Sequence, residues 1–177
     1  MSIKPEIKFG ILCALGIIAW TLIQYLAGFH SKYLYWGQYT GYFSYLLILY
    51  FLWKGLNEKM ADKPGSFTMR RGIREGLIQL TITAGFSSLF MFVYDYKINP
   101  LWVEEMISFQ RSNGSSTGYF LKFANDPGAQ AIILSNTETH LCLYFLSILI
   151  VGSSMAFMIS AILINKKENP SATGPRT

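Results

Sequence analysis

From Phe9 to Phe29 the chain reads FGILCALGIIAWTLIQYLAGF, 21 residues without one charged side chain. At 1.5 Å per residue a helix of that length crosses the roughly 30 Å hydrocarbon core of a bilayer. A helix that is apolar all round belongs either in the middle of a large protein or in a membrane. A chain of 177 residues has little room for the first. Charged residues are 14% of it, against about 25% in soluble domains, too few to cover a water-facing surface. The membrane reading follows.

Three further apolar stretches fit that reading. The expected fold is an all-α integral membrane domain over residues 1–167, with transmembrane helices near 9–29, 37–55, 76–95 and 141–164. The tail, 168–177, is rich in Pro, Ser and Gly and is expected to be disordered and cytoplasmic. The first run is longer than a signal-peptide core and is read as a retained span. Gln24 and Tyr25, near its far end, are expected to reach the headgroups. Tyr33, Tyr35, Trp36, Tyr39 and Tyr42 follow, rings with an apolar body and a polar edge that suit the membrane boundary.

Between the second and third runs lies KGLNEKMADKPGSFTMRRGIREG, Lys54 to Gly76. Lys63-Pro64-Gly65 is a turn signal. Ser66 is then expected to cap a short amphipathic helix, FTMRRGIRE, lying on the inner surface before the third span. Lys59, Arg70, Arg71 and Arg74 are expected against lipid headgroups. With this linker and both termini inside, 11 Lys and Arg fall inside and four outside. The positive-inside rule therefore places residues 95–140 on the outer face. In that segment Asn99-Pro100 is a strong helix start, and Trp102, Met106 and Phe109 share one face of the amphipathic helix that follows. The basic residues sit at span ends rather than along a stripe, so nucleic acid is not an expected partner.

Chemistry-bearing patterns are few. No phosphate loop, CxxC, HExxH or GxSxG occurs, and Cys13 and Cys142 lie in apolar runs as packing residues. His30, Asp95, Glu138 and His140 fall near outer span ends and form a candidate polar cluster, for a metal ion or a proton if those ends meet. Against it, Glu138 and His140 are two apart and point to different faces of a helix, and span ends are where charge is cheap. Gln79, Thr81, Thr83, Ser87 and Ser88 could line a path, but such residues more often bond the backbone or a neighbouring helix. The aromatic stretch from Phe29 to Trp53 could cradle a hydrophobic ligand or quinone; an interfacial belt explains it with fewer assumptions. In the last span Gly152, Ala156 and Ser160 recur every four residues, a seam along which another helix can approach closely.

Several stretches together resemble one family. FG at the first span's start, QYLAGFHSKY closing it, SFTMRRGIREG before the third, INPLWVEEM after it and the exit through NKKEN are similar to the domain-of-unknown-function 4199 family. The resemblance implies a small bacterial four-span protein of the inner membrane and brings no activity and no functional residues. The expected function is a non-enzymatic accessory or scaffolding subunit, without a cofactor, whose partners are the bilayer and either a second copy or another membrane subunit. A small oligomeric transporter or channel is the alternative. An enzyme acting on lipid or envelope substrates at the outer face, through His30, Glu138 and His140, comes third.

Overall fold

A computed structural model describes residues 3–62, 67–102, 105 and 137–168, the side chains of residues 38, 137, 138, 140, 167 and 168 excepted. The described residues are helical, with no strand among them. Helix α1 is Pro5–Leu26, α2 is Leu34–Thr40 and α3 is Phe43–Asp62. Helix α4 is Met69–Val93, prolonged by a π-helical turn, Tyr94–Ile98. The last helix, α5, is Thr137–Glu168. Three helical stretches are long and apolar enough to cross a membrane: Pro5–Leu26, Met69–Ile98 and Leu141–Lys166.

Each helix starts and stops for a local reason. Pro5 opens α1, where its missing N–H costs nothing. Gly28 closes it with φ +78. Its N–H donates to the Tyr25 carbonyl at 3.0 Å and the Phe29 N–H to that of Gln24 at 2.9 Å, the paired bonds of a Schellman cap. Thr68 caps α4, its hydroxyl accepting from the Arg71 N–H at 3.3 Å.

Two expectations about the basic linker change here. Ser66 lies outside the described residues, and the helix expected to lie flat before the third span is the first turns of α4, continuous with the rest. Gly72 and Gly76, which could have broken it, serve to admit a neighbour: a Cβ on Gly76 would sit 2.8 Å from that of Ala156 in α5, and one on Gly72 would strike Ser160. Phe67, expected among the arginines at the surface, is buried in the core. The second span expected at 37–55 also divides. It breaks after Thr40 into α2 and α3, and α3 runs on through Lys54, Glu58, Lys59 and Asp62. Those charges keep it off the set of apolar spanning helices.

The helices alternate in direction. Helix α4 packs against α1 and α5, and α3 against α1, α4 and α5. Ile17, Ile48, Leu52, Leu80, Ala156 and Ile159 meet in the core. The outward faces carry Leu15, Phe86, Leu89, Ile150, Phe157 and Met158, all more than half exposed. Polar residues go the other way: Thr21, Gln24, Glu75, Gln79, Thr83 and Ser87 are all buried. A water-soluble bundle would reverse this. An apolar exterior around a partly polar interior suits lipid as the solvent.

Candidate functional site: the cavity at the His30 end

A cavity of about 360 Å³ opens among the helix ends where α1 and α4 finish and α3 and α5 begin. Ligand pockets in helical bundles start at about this size. Its polar lining comes from Gln24, His30, Tyr45, Trp102, Tyr144 and Ser147, and its apolar walls from Ile17, Ile48, Met91 and Ile148.

The Schellman cap turns the chain back on itself, and His30 follows it inward to 7% exposure. Its Nδ1 is hydrogen-bonded to the hydroxyl of Tyr94, which also accepts from Asn99 Nδ2 at 3.4 Å. Tyr94 is fully buried in the first position of the π turn. The imidazole is boxed by the rings of Tyr94 and Trp102, at centroid distances of 5.6 and 5.3 Å. Burial pushes the His30 pKa down to about 4, because the enclosed site disfavours the imidazolium. At neutral pH the ring is uncharged.

Gln24 faces the same space and is 4% exposed. Its Nε2 donates to Thr40 Oγ1 at 2.5 Å, and that hydroxyl donates on to the Gly37 carbonyl at 2.9 Å. Trp20 Nε1 reaches the Thr40 carbonyl at 3.0 Å. Two bonds thus pin the end of α2 to α1, and the third holds the Thr40 hydroxyl within α2. Gly37 is needed there, since a Cβ would collide with the Phe29 carbonyl oxygen. Sequence reasoning placed Gln24 at the headgroups; instead it is held inside the bundle by α2.

The opposite end carries a compact ionic cluster. Lys59 Nζ lies 2.8 Å from Glu6 Oε2 and 3.6 Å from Glu75 Oε2, and Arg74 Nη2 lies 2.7 Å from Glu75 Oε1. The two carboxylate side chains are 7% and 6% exposed and Lys59 14%. One cation therefore ties α1, α3 and α4 together. Lys59 was expected at the headgroups, yet its ammonium is occupied by two carboxylates. Arg70 and Arg74 are exposed and Arg71 half-buried.

Between the two ends a polar row runs down the inner face of α4. Glu75, Gln79, Thr83 and Ser87 recur every four residues and all are buried. Thr83 Oγ1 lies 3.1 Å from the Gly10 carbonyl of α1 and 3.0 Å from that of Gln79. Thr81, by contrast, points outward and bonds the Leu77 carbonyl at 2.9 Å. The five polar residues expected to share a role in the third span therefore divide by helix face. The small-residue seam of α5 is also occupied: Ala156 and Ser160 meet Gly76 and Gly72, and Gly152 receives the side chain of Leu80. This seam joins α5 to α4 of the same chain, which removes it as a docking face for a partner.

Of the candidate polar cluster, His30 lines the cavity, and Asp95 is half-buried in the π turn beside Tyr94. The side chains of Glu138 and His140 lie outside the described residues. Among the described residues no three His, Cys, Asp or Glu side chains gather as metal ligands would. A helical turn does begin after Asn99, with Trp102 N–H on the Asn99 carbonyl at 3.2 Å and Glu105 N–H on that of Leu101 at 2.9 Å. The rest of the expected outer helix, with Met106 and Phe109, lies outside the described residues.

A family model described as protein of unknown function (DUF4199) matches residues 8–165. The chain belongs to this family. No curated protein and no solved structure matches it. The match spans everything that builds the cavity, from Ile17 to Ile148, and includes Lys59 and Glu75; Glu6 lies two residues before it.

Tyr94, Trp102 and Gln24 were not singled out as site residues from sequence, and one signal existed for Gln24. Cys13, Ile17, Thr21 and Gln24 fall at helical spacing on one face of α1. A polar pair at the end of such a stripe marks an inward position.

Proposed function

We propose that this DUF4199 member is a four-span membrane protein that holds a small molecule in the cavity at its His30 end. The observation that carries the proposal is the lining of that cavity. Ile, Met and aromatic walls surround a few polar groups whose orientations are already set by bonds to their neighbours. That is the composition of a pre-formed ligand site rather than of a closed aromatic plug. The accessory-subunit reading leaned on small-residue seams reaching a partner, and the α5 seam is taken up by α4. Binding is therefore the reading with more behind it, and it needs no catalytic step.

The fourth span is α3. It lies against α1, α4 and α5, and Lys54, Glu58, Lys59 and Asp62 all lie in its second half, toward the end that carries Glu6. The 11-to-4 excess of Lys and Arg puts that end, and both termini, on the cytoplasmic side of a bacterial inner membrane, with residues 95–140 outside. Arg70 and Arg74 would then meet inner headgroups. A reporter fused at Asn113 should read outside and one at the C-terminus inside; an inside reading at Asn113 refutes the orientation.

The binding proposal is tested by native mass spectrometry of protein released from mild detergent. A small molecule should co-purify at one per chain, and Ser147→Trp, which fills the cavity, should lose it. Protein that carries nothing from three detergents and from nanodiscs refutes the proposal.

A further inference from the structure

The hydrogen-bond roles around the cavity can be worked out atom by atom. Thr40 Oγ1 donates its only proton to the Gly37 carbonyl, so towards Gln24 it can only accept. The Gln24 group facing it is therefore the NH₂, and the carbonyl oxygen Oε1 is the group left over. Gln24 is 4% exposed, and among the described residues nothing bonds that oxygen. On the other wall Tyr94 accepts from Asn99, and among the described residues the acceptor within reach of its own buried hydroxyl proton is His30 Nδ1, which assigns the proton of that bond to the tyrosine. An imidazole that accepts at Nδ1 and stays uncharged carries its proton on Nε2. His30 thus has one donor to offer, and Gln24 one acceptor.

Both side chains are more than nine-tenths buried and line the same cavity. Buried polar groups normally have partners, and among the described residues these two lack one on the cavity side. We infer that the cavity recognises an uncharged amphiphile, with a carbonyl-type acceptor received by His30 Nε2–H, a hydroxyl or amide donor received by Gln24 Oε1, and an apolar body against Ile17, Ile48 and Ile148. This rests on the binding proposal above and names the ligand class for the same site. An anion is disfavoured because the described residues of the wall include no Lys or Arg: the histidine is neutral, and Lys59 lies at the far end on its two carboxylates. A cation is disfavoured because the acceptor is a neutral amide in an apolar surround.

The probes are 1-monodecanoylglycerol, which is neutral and has an ester carbonyl and two hydroxyls, and decanoate, which shares the chain but is anionic at pH 8. Binding to the full chain in nanodiscs is read by native mass spectrometry and by displacement of a brominated monoacylglycerol that quenches tryptophan. The expected result is one monodecanoylglycerol per chain and at least tenfold weaker binding of decanoate. His30→Phe and Gln24→Leu should each weaken monodecanoylglycerol about tenfold, while His30→Gln, which keeps a donor, recovers part of the loss. Melting curves show that each variant is folded; Tyr94→Phe, which removes the bond that sets the His30 tautomer and should likewise weaken monodecanoylglycerol, replaces any that is not. Equal binding of the two probes, or unchanged affinity in both wall variants, overturns the ligand class while leaving a small-molecule site in place. Binding that survives Ser147→Trp, or no binding of either probe, overturns the site itself.

Discussion

Replacing Lys59 by methionine should destabilise the chain strongly, because one ammonium serves two buried carboxylates. Methionine keeps the length and apolar stem of lysine and removes the ammonium that lies 2.8 Å from Glu6 and 3.6 Å from Glu75. Glu75 retains Arg74 at 2.7 Å, so the loss falls on Glu6, whose side chain is 7% exposed. At an effective dielectric of about 20, the lost Lys59–Glu6 attraction is about 6 kcal/mol. The carboxylate oxygens can be no further apart than the two distances laid end to end, about 6.4 Å, at which two charges repel by about 2.6 kcal/mol or more. Desolvation of the ions offsets most of the attraction in the wild type, and breaking a buried pair typically costs about 3–5 kcal/mol. The low end applies, about 3 kcal/mol, because the cluster sits at helix ends and Lys59 keeps 14% exposure. At about 2–4 °C per kcal/mol for a chain of this size, the apparent melting temperature should fall by about 6–12 °C. Size-exclusion thermostability in one detergent reads this directly. Adding Glu6→Gln to Lys59→Met should recover at least half of the loss, since a neutral amide needs no cation. A fall under 1 °C, or a further loss on adding Glu6→Gln, would refute the reasoning.

Three other outcomes follow from particular contacts. Gly76→Ala places a methyl 2.8 Å from the Ala156 Cβ and should cost about 1–3 kcal/mol, whereas Gly85→Ala meets nothing within 4 Å and should gain up to about 1 kcal/mol of helix propensity; equal melting of the two variants contradicts the α4–α5 packing. For His30 the folded pKa of about 4 lies below the unfolded value of about 6.5, so above pH 6.5 the group contributes nothing. As the pH falls from there to 4 the unfolded chain takes up a proton that the folded chain refuses, and stability drops by up to about 3 kcal/mol; His30→Phe should flatten the melting profile across that window, and an unchanged slope counts against a buried neutral ring. Thr40→Val removes the acceptor for Gln24 and should cost about 1–2 kcal/mol; if the variant melts at the wild-type temperature, the docking of α2 on α1 needs another cause.

How far the chain could be read in advance depended on which physical signal each part carries. The 21-residue uncharged run and the last apolar stretch announce spanning helices by length alone, and both are found. Family membership was legible because several short stretches occur in a fixed order along the chain, without any catalytic motif. The linker misled, since Lys, Glu and Asp in a row look like solvated loop, whereas Lys54 to Asp62 continue a helix in which Glu58 pairs with α1 and Lys59 with α1 and α4. Gly72 and Gly76 drew no notice in the sequence, and only the approach of α5 shows them to be contact points.

The cavity was the least legible part, for a reason that applies to inside-out proteins generally. In a soluble chain an apolar stripe marks the inside, so periodicity finds the core. Here the outward faces are apolar, the core is apolar too, and only a sparse set of polar residues separates the two. On α4 that set is Glu75, Gln79, Thr83 and Ser87, spaced by four. Read as composition, those residues look like scattered packing groups, and Thr81 and Ser88 blur the pattern further. Read as a helical phase, they identify the inner face and lead to Tyr94, the residue that holds His30. The same phase on α1 leads through Thr21 to Gln24. Two polar stripes that converge on one end of a bundle, one finishing on Gln24 and the other on the tyrosine that holds His30, are a stronger pointer to a ligand site than the conspicuous aromatic belt beside them.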